Sequence, residues 1–186
     1  PINWALIRGE KATGVTIMQV TRKMDSGPII LQKEIKILES DDSVSLESKL
    51  CNLGAELLLK AVPLIKSKGH ELIGQDEAKV TYAPKLKKKD GLIDWNKPAQ
   101  EIINLIRGTL PWPGAFTHYK GKLLKIFKAR VIECQYRLST AGEVQNISKE
   151  GITVAAGDKS LLIQELQIEG KRKMGAEEFI AGHSIR

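Results

Sequence analysis

The sequence predicts an α/β chain in two parts, with strands and a long helix first and a small barrel of short strands after them. An apolar, β-branched run at 15–20 is followed by a second extended stretch and an amphipathic helix, an order typical of α/β domains. After residue 90 the strand-like runs become short and are separated by glycines, which favours a barrel. The 186 residues suit one large domain or two small ones.

The start of the chain predicts one short helix and two strands. Residues 1–8 can form the helix, because Pro1 is tolerated in a first turn and Gly9 can end it. The run at 13–20 predicts a strand that is buried on both faces, and 28–38 predicts a second extended segment.

A long helix is predicted to follow the turn that ends at Ser43, since aspartate and serine there are good N-caps. We expect Pro63 to kink this helix near its end and Gly69 to terminate it. Apolar residues recur at intervals of three and four, which indicates one buried face. That face consists of Leu46, Leu50, Leu53, Leu57 and Ala61.

The stretch at 74–91 is polar and has no periodicity, so it predicts a linker. We divide the chain into a first domain at 1–74, a basic linker at 75–89 and a second domain at 90–186. The basic residues of the linker could contact phosphates or could simply be solvated. They are Lys85, Lys87, Lys88 and Lys89.

The second domain is predicted to begin with an amphipathic helix at 98–110 and to end with a short helix at 174–181, closed by Gly182. Glycine-containing turns separate the strand-like runs between these helices. The predicted strands are 115–119, 122–133, 142–148, 151–156 and 160–168.

The net positive charge of the chain comes entirely from its second half. Residues 1–78 carry 10 Lys and Arg against 11 Asp and Glu, a net charge of −1. Residues 79–186 carry 19 against 11, a net charge of +8. This asymmetry indicates a polyanionic partner for the second half, although a solvated lysine-rich surface would show the same pattern.

Composition argues against several other classes of protein. No apolar run approaches the roughly 18–20 residues that cross a bilayer, so no membrane association is expected, and no signal peptide is visible. Cys51 and Cys134 are far apart and are expected to be buried free thiols of a reducing cytoplasm. The three histidines are scattered, so no metal site is predicted.

Asp25 is the candidate catalytic residue. It follows the first predicted strand within Asp25-Ser26-Gly27-Pro28, which places a carboxylate at the edge of a sheet. From the residues alone, an Asx turn before glycine is the favoured explanation of this aspartate.

Four stretches, in order, resemble the methionyl-tRNA formyltransferase family. They are "PINWALIRGEKATGVTIMQVTRKMDSGPII" at 1–30, "TYAPKLKKKDGLIDW" at 81–95, "IRGTLPWPGAF" at 106–116 and "GKRKMGAEEFIAG" at 170–182. The family has Asp-Thr-Gly where this chain has Asp25-Ser26-Gly27. The resemblance identifies Asp25 as catalytic.

The resemblance implies transfer of a formyl group from 10-formyltetrahydrofolate to the α-amine of methionyl initiator tRNA in a bacterial-type cytoplasm. An organelle would suit the same reaction. It also implies the C-terminal part of a Rossmann-like catalytic domain, followed by an OB-like open β-barrel that binds tRNA. The enzyme is expected to be a monomer that needs no metal.

The family's catalytic Asn and His, and a Ser-Leu-Leu-Pro stretch that helps to hold folate, precede the segment that corresponds to Pro1. We therefore expect this chain to be a C-terminal portion that is inactive alone. Two other hypotheses stay open. One is a formyltransferase or folate-hydrolase module with a non-tRNA acceptor, and the other is a basic RNA-binding module without activity.

Overall fold

The computed structural model describes residues 1–67, 71–133 and 140–183. The chain forms two compact units. The first contains Pro1–Ile2 and Glu10–Pro84, and the second contains Asn3–Gly9 and Lys85–Arg186. Both helices and strands are present, so the mixed α/β class is confirmed.

The first unit contains an antiparallel pair of strands, β1 (Ala12–Met18) and β2 (Ile29–Lys36). The register pairs Ala12 with Lys36 and shifts after Ile17, near the end of β1. The prediction that β1 is buried on both faces was wrong, because none of its residues is fully buried and Val20 beyond it is 89% exposed. In the described part of the chain the sheet has only two strands, and α2 (Ser43–Ser67) covers it.

Helix α2 is the long amphipathic helix that the sequence predicts. Asp42 caps it, since its Oδ1 accepts a hydrogen bond from Ser45 N at 2.8 Å. The predicted buried face is confirmed, and Pro63 lies within the helix. The predicted end at Gly69 lies outside the described residues. The buried apolar residues of α2 are Leu46, Leu50, Leu53, Leu57 and Ala61.

Gly54 in the middle of α2 gives a first testable prediction. A Cβ there would meet only Val15 Cγ1, at an ordinary contact distance of 3.7 Å. Glycine inside a helix is about 0.5–1 kcal/mol less favourable than alanine. We expect Gly54→Ala to raise the free energy of unfolding by about that amount, measured by urea denaturation. A fall in stability would show that the site cannot accept a methyl group.

The described residues of the second unit form a six-stranded sheet. Its strands are β3 (Ala115–Tyr119), β4 (Lys122–Ile132), β5 (Val144–Ser148), β6 (Gly151–Ala155), β7 (Ser160–Ile168) and β8 (Met174–Gly175). The order is β3-β4-β7-β6-β5, and β8 pairs with the end of β7 beyond β6. All pairs are antiparallel, and the described residues show no closure of this sheet into a barrel.

The part of the second unit that the structure describes also has three α-helices. These are α1 (Ile2–Ile7), α3 (Ala99–Gly108) and α4 (Ala176–Gly182). Residues 3–7 of α1 belong to this unit, and Asn3 Nδ2 donates to Gly108 O at 2.7 Å. The predicted helix at 174–181 begins two residues late, because Met174 and Gly175 pair with β7 as a strand.

The core of the second unit lies between the sheet and its helices. Ile102 and Ile106 of α3, Phe179 of α4 and Leu161 and Leu166 of β7 are almost fully buried there. Helices α3 and α4 thus each bury one face in this core, as the apolar spacing of α3 predicts.

The exposure of the cysteines and the character of the helices can also be compared with the sequence predictions. Cys51 is exposed on α2, so the prediction that it is buried was wrong, and Cys134 lies outside the described residues. No helix in the described ranges is both long and apolar enough to cross a bilayer.

Candidate active site

Asp25 lies in the loop at 19–28, which joins β1 to β2. A main-chain hydrogen bond of 2.9 Å from Gln19 N to Pro28 O closes this loop. Asp25 is exposed and has a φ of +53°, a left-handed conformation that aspartate tolerates better than most residues. Its carboxylate has no hydrogen-bond or ion-pair partner among the described residues. The loop therefore holds an accessible carboxylate at the end of a strand.

Gly27 allows the two ends of the loop to approach each other. It is buried, and a Cβ at this position would lie 1.6 Å from Gln19 O. Because the obstacle is main chain, only glycine fits here without a shift of the loop.

Hydroxyl groups stabilise the inner part of the loop. Thr21 Oγ1 and Ser26 Oγ each donate to Lys23 O at 3.0 Å, and the two oxygens lie 3.2 Å apart. The Oγ of threonine could make the same bond as Ser26. The serine in place of the family's threonine therefore keeps the hydrogen bond.

The segment at 73–77, which we call the strap, lies along this loop, and its last residue begins a short 3₁₀ turn, Glu77–Lys79. Ile73 and Ile29 exchange two main-chain hydrogen bonds, of 2.8 and 3.0 Å. Gln75 Nε2 donates to Asp25 O at 3.0 Å and to Gly27 O at 2.6 Å. Gln75 thus contacts the loop that holds Asp25, and Ile73 contacts the first residue of β2.

The third contact of the strap is an exposed ion pair between Lys23 and Glu77, with Nζ and Oε1 2.6 Å apart. The hydrogen bond to Glu77 raises the pKa of Lys23 above its usual value, and the same bond lowers the pKa of Glu77. Both side chains are well solvated, so this pair adds little to stability.

The sequence reasoning missed the strap, because 74–91 was interpreted as a linker without pattern. The contacting residues are Ile73, Gln75 and Glu77, and the last of them belongs to a 3₁₀ turn, so the strap has no single secondary-structure period. Gln75, Asp76 and Glu77 are all polar, so no alternation in the sequence distinguishes the strap from an ordinary linker.

The four linker lysines, Lys85, Lys87, Lys88 and Lys89, belong to the second unit and are all exposed. A short 3₁₀ turn, Lys88–Gly91, contains the last two, and Lys87 N donates to Asp90 Oδ2 at 2.7 Å. None of the four makes an ion pair with a described carboxylate. Their charges are therefore available to an anionic partner.

A second basic group, which the sequence reasoning did not single out, surrounds an open cavity of about 310 Å³ in the second unit. Lys122 and Lys171 line it and make no ion pair with the described carboxylates. Glu169 is also part of the wall and accepts a hydrogen bond from Leu123 N. The cavity is lined by Tyr119, Lys120, Lys122, Ile168, Glu169, Lys171, Gly182 and His183.

Comparison with known families identifies the class of protein. Residues 85–184 match the family described as "Formyl transferase, C-terminal domain", and residues 1–62 match "Formyl transferase". The chain belongs to the formyl transferase family, as its motifs predict.

Two methionyl-tRNA formyltransferases are similar to this chain over its whole length. A methionyl-tRNA formyltransferase of Caldanaerobacter subterraneus subsp. tengcongensis is 45% identical over 185 residues, which is 100% of this chain and 59% of the relative. That of Alkaliphilus oremlandii is 42% identical over the same shares of the two chains. The chain thus spans about three-fifths of the length of these relatives.

Solved structures share the fold. HypX from Aquifex aeolicus in complex with tetrahydrofolic acid has a TM-score of 0.69 at 18% identity, over 96% of this chain and 32% of its own. WlaRD, a sugar 3N-formyl transferase, has a TM-score of 0.70 at 18% identity, over 92% of this chain and 60% of its own. At this identity the likeness concerns the fold alone.

Proposed function

We propose that this chain is part of an enzyme that formylates the α-amine of methionyl initiator tRNA, with 10-formyltetrahydrofolate as formyl donor. The observation that carries the proposal is the 45% identity, over the whole chain, to a methionyl-tRNA formyltransferase. The exposed carboxylate of Asp25, held by a loop with its own fixed conformation, supports it.

Asp25 would manage the proton of the acceptor amine. Bound 10-formyltetrahydrofolate would supply the formyl group. An α-amine has a reference pKa of about 7.7–8.0, so much of it is protonated at neutral pH and cannot attack. Asp25 can accept that proton directly or orient a histidine that accepts it.

The developing negative charge on the formyl oxygen needs hydrogen-bond donors. The resemblance assigns this role to an Asn and a His of the segment that precedes this one in the family. We assign no residue of this chain to the folate, because the resemblance places those contacts mainly in the same preceding segment.

The second unit is proposed to be the tRNA-binding domain, with the architecture of an OB-like open barrel. Its sheet of short antiparallel strands and the +8 charge of residues 79–186 support this assignment. We also propose that the enzyme is monomeric and that it is cytoplasmic, and its bacterial relatives support the second part of this proposal.

The direct test uses the full-length protein with 10-formyltetrahydrofolate and two acceptors, methionyl initiator tRNA and a nucleotide-linked amino sugar. We expect formyl transfer to the tRNA only. Transfer to the sugar alone would replace this proposal with the non-tRNA acceptor. Tight tRNA binding without any transfer would favour the RNA-binding module.

The four linker lysines give a prediction on tRNA affinity. Changing Lys85, Lys87, Lys88 and Lys89 to Gln should weaken binding and reduce the salt dependence of log K by about 0.7–0.9 for each lysine–phosphate interaction that the change removes. Initiator and elongator tRNAs should be affected about equally, because phosphate contacts carry no sequence information. Titration of the full-length protein at several salt concentrations measures both.

A control with matched charge is available in the second unit. Lys97, Lys159, Arg172 and Lys173 are ion-paired with Glu101, Glu133, Glu178 and Glu165. Their joint change to Gln should leave the salt slope closer to the wild-type value. Equal slopes in the two variants would mean that net charge, and not the linker, determines binding.

A further inference from the structure

We propose that Gln75 is a positioning residue for Asp25, and that the strap at 73–77 is therefore part of the active site and not only a connection between domains. This inference rests on the proposed function for its kinetic consequence. Its structural basis, the contact of the strap with the loop, stands independently of the substrate.

One amide nitrogen of Gln75 holds the main chain on both sides of Ser26. Its two hydrogens match two acceptors, Asp25 O at 3.0 Å and Gly27 O at 2.6 Å. Fixing both carbonyl groups restricts the peptide planes that follow Asp25. The peptide plane after Asp25 sets the ψ of this residue, so holding that plane helps to keep Asp25 in its left-handed conformation and its carboxylate in one direction.

The strap itself is anchored next to Gln75. Two main-chain hydrogen bonds between Ile73 and Ile29 join it to the start of β2. Met18 Sδ at the end of β1 lies 3.7 Å from the same Nε2 of Gln75. Both strands that border the loop therefore contact the strap, which limits the positions that the Gln75 amide can adopt.

A glutamine suits this position because it is a neutral donor of the required length. A carboxylate of the same size would direct oxygen at the two carbonyl oxygens, and an aliphatic side chain would leave them without their donor. Gln75→Leu removes both hydrogen bonds at similar volume, so it is the informative change.

In the full-length protein we expect Gln75→Leu to lower kcat by roughly 10²-fold, since a misplacement of about 1 Å has an effect of that size. The KM for methionyl-tRNA should stay within about twofold, because the tRNA-binding residues are unchanged. Amide hydrogen exchange at 21–27 should become faster, which reports the loop directly. The control is Gln32→Leu, which removes the 2.8 Å bond from Gln32 to Thr16 between β1 and β2 and should leave kcat near the wild-type value.

The results of these experiments distinguish a failure of the Gln75 role from a failure of the proposed function. A kcat within twofold of wild type, or a fall in kcat without faster exchange in the loop, would overturn the positioning role. An equal fall in the Gln32 variant would do the same, since it would indicate general loosening of the hairpin. If the wild-type protein does not formylate methionyl-tRNA, the proposed function fails, and loop exchange alone decides whether Gln75 holds Asp25.

Discussion

Asp25→Asn is expected to lower the rate of formyl transfer by about 10²–10⁴-fold in the full-length protein, the usual cost of losing a general base or its orienting group. The change keeps the size of the side chain and removes its charge. The described part of the chain provides no partner for this carboxylate, so the folded state loses no hydrogen bond or ion pair.

The backbone conformation makes this substitution a clean test. Asparagine adopts positive φ at least as readily as aspartate, so the φ of +53° does not become more strained. The fall in rate would therefore report the charge and not a rearranged loop. A folded Asp25→Asn enzyme that keeps more than about half its rate would show that Asp25 has only a structural role in the turn.

A matched aspartate lies in the same unit. Asp42 caps α2, and asparagine is about as good as aspartate at an N-cap. Asp42→Asn should therefore leave both the rate and the stability close to wild type. A comparable fall in rate in this control would mean that the assay responds to net charge.

The fold was predictable where a pattern of apolar residues repeats over many positions. The 19 residues from Ser43 to Ala61 repeat their apolar positions often enough to fix both the helix and its buried face. Burial of β1 was not predictable in the same way, since an apolar strand has the same composition whether a sheet covers both its faces or one. The start of the helix at 174–181 was also misplaced, because two residues of strand leave no period to detect.

The candidate site was also predictable only in part. Asp25 was identified by its motif, which places a carboxylate after a strand at a glycine turn. Gln75 lies 50 residues later in a stretch without period, and its contacts are with main-chain carbonyl groups. Such acceptors exist in every residue, so no side-chain pattern in the loop reveals where a donor will bind.

Gly27→Ala is expected to disturb the same loop more strongly than the removal of the Gln75 amide. The added Cβ would lie 1.6 Å from Gln19 O and 2.8 Å from Gln19 C, so the main chain at the end of β1 must move. That movement would separate Gln19 from Pro28 and break the 2.9 Å hydrogen bond that closes the loop. Asp25, two residues away, would be displaced with it.

We expect Gly27→Ala to lower kcat by at least about 10²-fold and the free energy of unfolding by about 1–3 kcal/mol, as forced overpacking does. The core beneath α2 is untouched, so the variant should still fold. Gly54→Ala is the control, because it adds the same methyl group where only Val15 Cγ1 lies near, at 3.7 Å. Steady-state kinetics and urea denaturation of both variants measure the difference. Wild-type kcat in Gly27→Ala would mean that the loop can open at Gln19 without moving the carboxylate, and the assignment of a fixed loop around Asp25 would then be wrong.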